Sequence, residues 1–175
     1  MPPNAAFVPS VIEKSMSRRP GGELEAHPSA GLEETVMTWE PSVVAFCCNW
    51  CAYAGADLAG VSRFQYPPNV KVVRVMCSGR VEPSYVLRCF RNGADGVMVL
   101  GCHIGDCHYF KGNERARQRI ADTGDILERL GIGRERLLLR WISAGEGALF
   151  ASTCREFVEL VRTMGPLPEV GCDRA

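Results

Sequence analysis

Four apolar runs punctuate the chain: Val43-Val44-Ala45-Phe46, Val70 to Met76, Val97 to Leu100 and Leu137 to Ile142. Short continuous runs without polar alternation predict strands buried on both faces. Lys71 and Arg74 interrupt the second run, so that strand should be less buried than the first; Val97 to Leu100 is the most apolar and should be central. The segments between the runs carry helical patterns. Ala52 to Val61 is rich in small residues that permit close packing, and Tyr66-Pro67-Pro68-Asn69 is a loop. Pro83 suits a helix first turn, Val86, Cys89 and Phe90 share one face, and Asn92-Gly93 supplies a stop. A longer helix, with Asn113 as its expected N-cap, runs to about Leu130. Ala116, Ile120, Ile126, Leu127 and Leu130 form its apolar stripe, and Arg115, Arg117, Arg119 and Arg129 lie on the other side. The last helix gathers Phe150, Cys154, Phe157, Val158 and Val161 and stops at Gly165-Pro166.

Strand and helix therefore alternate four times from residue 41 to residue 165. This pattern predicts an α/β fold: a four-stranded parallel sheet of order 2-1-3-4, flavodoxin-like, with helices on both faces. Such sheets collect ligands at the carboxyl ends of their strands. Residues 1–40 have no such pattern. They hold Pro2, Pro3, Pro9, Pro20 and Pro28 with scattered Ser and Glu, and read as a mobile extension with a short helix possible at Leu32 to Thr38. Residues 166–175 read as a tail.

Charge and composition narrow the function. Lys plus Arg and Asp plus Glu balance at 20 each, which argues against a general nucleic-acid or membrane-surface role. Three basic residues face six glutamates in the first 40 positions, which leaves the remainder slightly basic. No apolar stretch approaches the ~20 residues of a membrane span, and no secretory signal is visible. The sequence reads as an intracellular, cytoplasmic protein, so its nine cysteines point to metal or redox chemistry before structural disulfides.

The cysteines sort by position. Cys89 and Cys154 fall on apolar helix faces and read as core, and Cys172 lies in the tail. The other six follow the first three strands: Cys47, Cys48 and Cys51, then Cys77, then Cys102 and Cys107. In order 2-1-3 these three strand ends are neighbours. Cys48 and Cys51 have the C-x-x-C spacing, and Cys102 and Cys107 have C-x4-C, both of which suit an iron–sulfur cluster wrapped by loops. Helices starting just beyond the strands would point their positive ends at an anionic thiolate group. The spacing ranks a cluster above a stand-alone thiol–disulfide site built on Cys48 and Cys51, and that above structural zinc. Adjacent strand residues face opposite ways, so Cys47 and Cys48 should not both reach one site. Cys51, Cys77, Cys102 and Cys107 form the first candidate set, with Cys48 in reserve and Cys47 in the core or beside the site. His103 and His108 are expected to hydrogen-bond near sulfur or to face a partner, Asp106 to cap its loop, and Arg80 and Lys111 to be surface cations. No nucleotide-binding glycine motif occurs.

Three motifs carry a family resemblance: Phe46-Cys47-Cys48-Asn49-Trp50-Cys51, Val75-Met76-Cys77-Ser78-Gly79-Arg80, and Gly101-Cys102-His103-Ile104-Gly105-Asp106-Cys107-His108-Tyr109. With Ala54 to Gly60 and Gln65-Tyr66-Pro67-Pro68, they closely resemble the delta (iron–sulfur) subunit of methyl-viologen-reducing, F420-non-reducing hydrogenase. The resemblance implies a [2Fe-2S] electron-transfer subunit rather than a complete enzyme. Its electrons would come from a hydrogenase or another donor such as a formate dehydrogenase. They would pass to the flavin-containing large subunit of heterodisulfide reductase, the site of electron bifurcation. Ile104 departs from the family, which commonly has Pro there, and residues 1–40 lie outside the resemblance.

Overall fold

The computed structural model describes residues 39–167. The helix expected at Leu32 to Thr38, most of the extension and Cys172 lie outside the described residues. The elements alternate as the pattern predicts. Strands β1 (Val43–Cys48), β2 (Val70–Val75), β3 (Gly96–Gly101) and β4 (Leu137–Trp141) are separated by helices α1 (Ala52–Val61), α2 (Pro83–Arg91) and α3 (Gly112–Arg129), and α4 (Gly147–Met164) follows. All pairings are parallel, in the expected order β2-β1-β3-β4.

The central strands β1 and β3 are buried at every position, whereas the edge strands β2 and β4 are only partly covered. Strand alternation splits the core into two layers. Val44, Phe46, Val97 and Val99 pack with Val86 and Phe90 of α2 and Ile120 and Leu127 of α3. Val43, Ala45, Cys47, Met98 and Leu100 pack with Ala52, Ala56 and Ala59 of α1 and Phe150, Phe157 and Val161 of α4. Pro83 opens α2 and Asn92 caps its end, as expected. Among the described residues, no helix is long and apolar enough to cross a membrane.

Beyond one-residue shifts at the ends of β2, β3 and β4, three local details differ from expectation. β1 continues through Cys48, because its ladder to Val75 is still paired there. α3 begins at Gly112 with Lys111 as N-cap, so Asn113 lies inside the first turn and is buried rather than capping. The buried stripe of α3 is Ala116, Ile120, Thr123 and Leu127, at three- and four-residue intervals. Ile126 sits one position off that stripe and Leu130 follows the helix end, so both are exposed.

Phe46 is wholly buried in the middle of β1. Phe46→Ala should lower stability by about 3–5 kcal/mol in chemical denaturation, and a loss below about 1 kcal/mol would contradict this packing.

Candidate metal centre

Register determines what meets at the carboxyl edge of the sheet. Cys48 pairs with Val75 and Cys47 with Leu100, so Cys48, Cys77 and Cys102 leave their strands at nearly the same level. Cys48 and Cys102 face each other with sulfurs 3.6 Å apart, and Cys51 returns from the start of α1 to join them. The sulfurs of Cys48, Cys51 and Cys102 lie within 4.8 Å of one another, all buried. Cys51 Sγ and Cys102 Sγ are in direct contact, with Cα atoms 5.4 Å apart.

A second pair adjoins this trio. Cys77 and Cys107 both abut the first residue of α3: a Cβ at Gly112 would overlap Cys77 Sγ and lie 3.0 Å from Cys107 Sγ. Burial pushes the Cys77 thiol above its ordinary value, and the neighbouring Cys107 and Cys48 thiols act in the same direction. A hydrogen bond from the Gly79 backbone amide pulls against them. Five of the six candidate cysteines thus lie at the carboxyl edge of the sheet, three with sulfurs within 4.8 Å of one another and two against the start of α3. Cys48, a reserve ligand on sequence grounds, is as central as the rest.

Cys47 is the sixth, and it points the other way. Its side chain lies in the apolar layer under α1 and α4, where burial pushes the thiol well up, with Cys154 and Cys48 adding to the effect. Cys89 and Cys154 are likewise core, and burial pushes each to about 12. Such thiols stay protonated and inert at neutral pH.

The polar residues of the loops form a rim. His103 Nε2 donates to Glu146 Oε2 at 2.7 Å rather than to sulfur, and the same carboxylate oxygen accepts the Ser143 backbone N–H at 2.6 Å. His108 stacks on Trp50 at 3.9 Å between ring centroids, Tyr109 packs edge-on against His108, and Trp50 Nε1 donates to Tyr109 Oη. Phe110 is 89 % exposed and adopts a left-handed φ of 64°, a strained conformation for an aromatic residue. Arg80 and Lys111 are exposed, as expected. The backbone N–H of Asp106 donates to His103 O. Sequence reasoning misses Glu146, Phe110 and the inward roles of Gly112 and Asn113. Only the Gly-Asn pair carries a local signal, and that signal reads as a helix start.

These features define an α/β domain with a buried polythiol centre at its carboxyl edge. The donors are all sulfur, which suits an iron–sulfur cluster or zinc and does not suit a hard, oxygen-preferring cation. The chain belongs to the family described as methyl-viologen-reducing hydrogenase, delta subunit, whose sequence profile matches residues 43–165. It is 52% identical over 128 residues to the iron-sulfur subunit of the vhc F420-non-reducing hydrogenase of Methanococcus voltae, covering 73% of this chain and 89% of that protein. It is 53% identical over 128 residues to the iron-sulfur subunit of the F420-non-reducing hydrogenase of Archaeoglobus profundus, covering 73% and 93%. It is also 48% identical over 127 residues to a subunit of the ferredoxin:CoB-CoM heterodisulfide reductase of Methanosarcina mazei, where the match covers 73% of this chain but only 16% of the relative.

Glu146 gives a pH test. The Ser143 amide and then His103 hold its carboxyl at about 2, below the ordinary 4.5. A depressed carboxyl stabilises the fold above its unfolded value and ceases to as pH falls through its folded value. In cluster-free protein, wild type should be more stable than Glu146→Gln near neutrality. The difference should shrink below about pH 4.5 and vanish near pH 2. A pH-independent difference in denaturation midpoints would contradict the assignment.

Proposed function

We propose that this chain is an electron-transfer module carrying one [2Fe-2S] cluster. In this reading it relays electrons from a hydrogenase, formate dehydrogenase or other donor to the flavin-containing large subunit of a bifurcating heterodisulfide-reductase-type complex. The observation that carries the reading is the meeting of the buried Cys48, Cys51 and Cys102 sulfurs within 4.8 Å of one another, with the buried Cys77 and Cys107 sulfurs side by side against the start of α3. Four of Cys48, Cys51, Cys77, Cys102 and Cys107 would be the ligands, with Cys51, Cys77, Cys102 and Cys107 as the first set. The cluster, when bound, supplies a one-electron carrier. The chain's own residues hold the sulfurs, keep water from them and present a docking rim. Residues 41–165 are the working domain, and residues 1–40 and 166–175 lie outside it. A site of thiolates suits the reducing cytoplasm.

The choice of partner is supported by the Methanosarcina mazei relative, in which the matched segment is part of a much longer heterodisulfide reductase polypeptide. The docking rim is Trp50, Met76, Ile104, Tyr109 and Phe110, large apolar side chains exposed on the three cysteine-bearing loops. Apolar exposure concentrated around a buried redox centre marks a docking face.

The test begins under a dithiol reductant, so that all five cysteines are thiols when iron and sulfide are supplied. Anaerobically purified or reconstituted protein should contain two iron and two sulfide per chain as the proposed cluster requires, with a reduced-state EPR signal. Iron-free protein that reduces disulfides through Cys48 and Cys51 would overturn the proposal, as would colourless protein containing zinc. Serine substitutions should abolish the signal at Cys51, Cys77, Cys102 and Cys107 and preserve it at Cys47.

Trp50→Ala and Phe110→Ser should leave iron content unchanged and weaken binding to a heterodisulfide reductase large subunit. A buried aromatic anchor is typically worth about 2 kcal/mol or more, roughly 30-fold in Kd. Unchanged affinity in calorimetry would remove this rim from the interface.

A further inference from the structure

The cysteine loops leave three strands, but one helix touches two of them and both thiols of the second pair. At its first residue, Gly112, the backbone of α3 lies against Cys77 Sγ and Cys107 Sγ with no room for a methyl group. Gly79, two residues after Cys77, packs on the same point: a Cβ there would overlap Gly112 O and lie 3.0 Å from its Cα. The Cys77 loop and the helix start are therefore in backbone-to-backbone contact.

The next residue grips the third strand's loop. Asn113 is 1% exposed, and its Nδ2 donates to His103 O at 2.7 Å and to Cys102 O at 3.3 Å. Its Oδ1 accepts the Glu114 N–H at 2.9 Å. A buried amide with both donors directed to the carbonyls at a cysteine fixes that segment of backbone. Nearly two turns on, Arg119 Nη1 donates to Gly79 O at 2.7 Å, which ties the Cys77 loop a second time. The helix is anchored behind these contacts by Ala116, Ile120 and Leu127, all buried. The contacts thus transmit the position of a rigid core element to Cys77, Cys102 and Cys107.

We propose that Gly112, Asn113 and Arg119 are positioning residues of the cysteine site, which set the spacing of Cys77 and Cys107 relative to Cys102 and so how tightly the cluster is held. The proposal rests on the cluster reading above. Gly112 admits the two sulfurs to the helix start. Asn113 holds the carbonyl of Cys102 and so directs its side chain. Arg119 prevents the Cys77 loop from lifting. None of the three is a ligand. Partners of this kind behind a metal site typically change its affinity by about 10- to 100-fold when removed.

The test uses the full chain with two readouts. Loaded, anaerobic protein is challenged with an iron chelator, and the rate of cluster loss and the EPR g-values are recorded. Cluster-free, reduced protein is treated with iodoacetamide, and each cysteine's alkylation rate is read by mass spectrometry. Gly112→Ala, Asn113→Leu and Arg119→Met should lose the cluster about tenfold faster or more and shift the g-values. Cys77 and Cys107 should alkylate faster in Gly112→Ala than in wild type. Gly60→Ala, where a Cβ meets nothing within 4 Å, should match wild type throughout. Arg119→Lys, which can still donate to Gly79 O, should recover most of what Arg119→Met loses. If Gly112→Ala fails to fold, Asn113→Asp, of the same shape without the two donations, and the Arg119 pair decide the matter. Variants with lower melting temperatures but wild-type g-values, chelation rates and alkylation patterns would overturn the proposal. Wild-type protein that takes up no iron would sink the cluster reading instead, and the alkylation pattern would still decide whether these residues position the thiols.

Discussion

Parallel pairing of β1 between β2 and β3 is the constraint on which the site depends. Parallel strands send all their outgoing loops to one edge, and the register places Cys48, Cys77 and Cys102 at nearly one level there. A one-residue slip of β1 would exchange the faces of Cys47 and Cys48, burying the site cysteine under α1 and α4 and exposing the core one to the other loops. The register is held by burial, since β1 and β3 have no exposed position and each alternate set of side chains fits one of the two apolar layers. The hydrophobic core thus does more than stabilise the domain. It determines which thiols meet.

The same layering separates two kinds of cysteine. Cys47, Cys89 and Cys154 lie among aliphatic and aromatic side chains, and desolvation keeps them protonated. Cys48, Cys51, Cys77, Cys102 and Cys107 are equally hidden from solvent but surround one another at the ends of the strands, with backbone amides and helix starts nearby. Burial alone does not distinguish the groups; the chemistry of the neighbours does.

Much of this is legible in the sequence, for identifiable reasons. Four largely apolar runs with helical patterns between them predict a parallel sheet with helices on both faces, and the strand order is the one expected. The inert cysteines are legible because Cys89 and Cys154 share helix faces with Val86, Phe90, Phe157 and Val161. The central place of Cys48 is not, because nothing local shows that its strand ends facing Cys102. That contact depends on pairing across 54 residues. Asn113 escapes local reading for a similar reason. A Gly-Asn pair before an amphipathic stretch resembles a cap, and only the approach of the Cys102 loop draws its amide inward. Glu146 joins His103 across 43 residues, a separation at which local pattern carries no information. Local periodicity fixes elements and faces, and side chains that bridge loops answer to the tertiary arrangement.

The burial of the thiols also bears on the kind of redox chemistry the site can perform. Thiol–disulfide exchange proceeds through a mixed disulfide, so one sulfur must be exposed to attack or be attacked in line. Here Cys51 and Cys107, the most accessible of the five, are only 9% and 8% exposed, and Cys77 is pushed toward its protonated, unreactive form. Exchange would require the loops to open, against the backbone contact of Gly79 with Gly112 and the grip of Asn113 on the Cys102 loop. Electron transfer to a docked partner makes no such demand, because the centre need only lie close beneath the contact surface. Buried sulfur under an exposed aromatic rim suits the second requirement and obstructs the first. The burial that obstructs exchange is the same burial that the proposed relay would use.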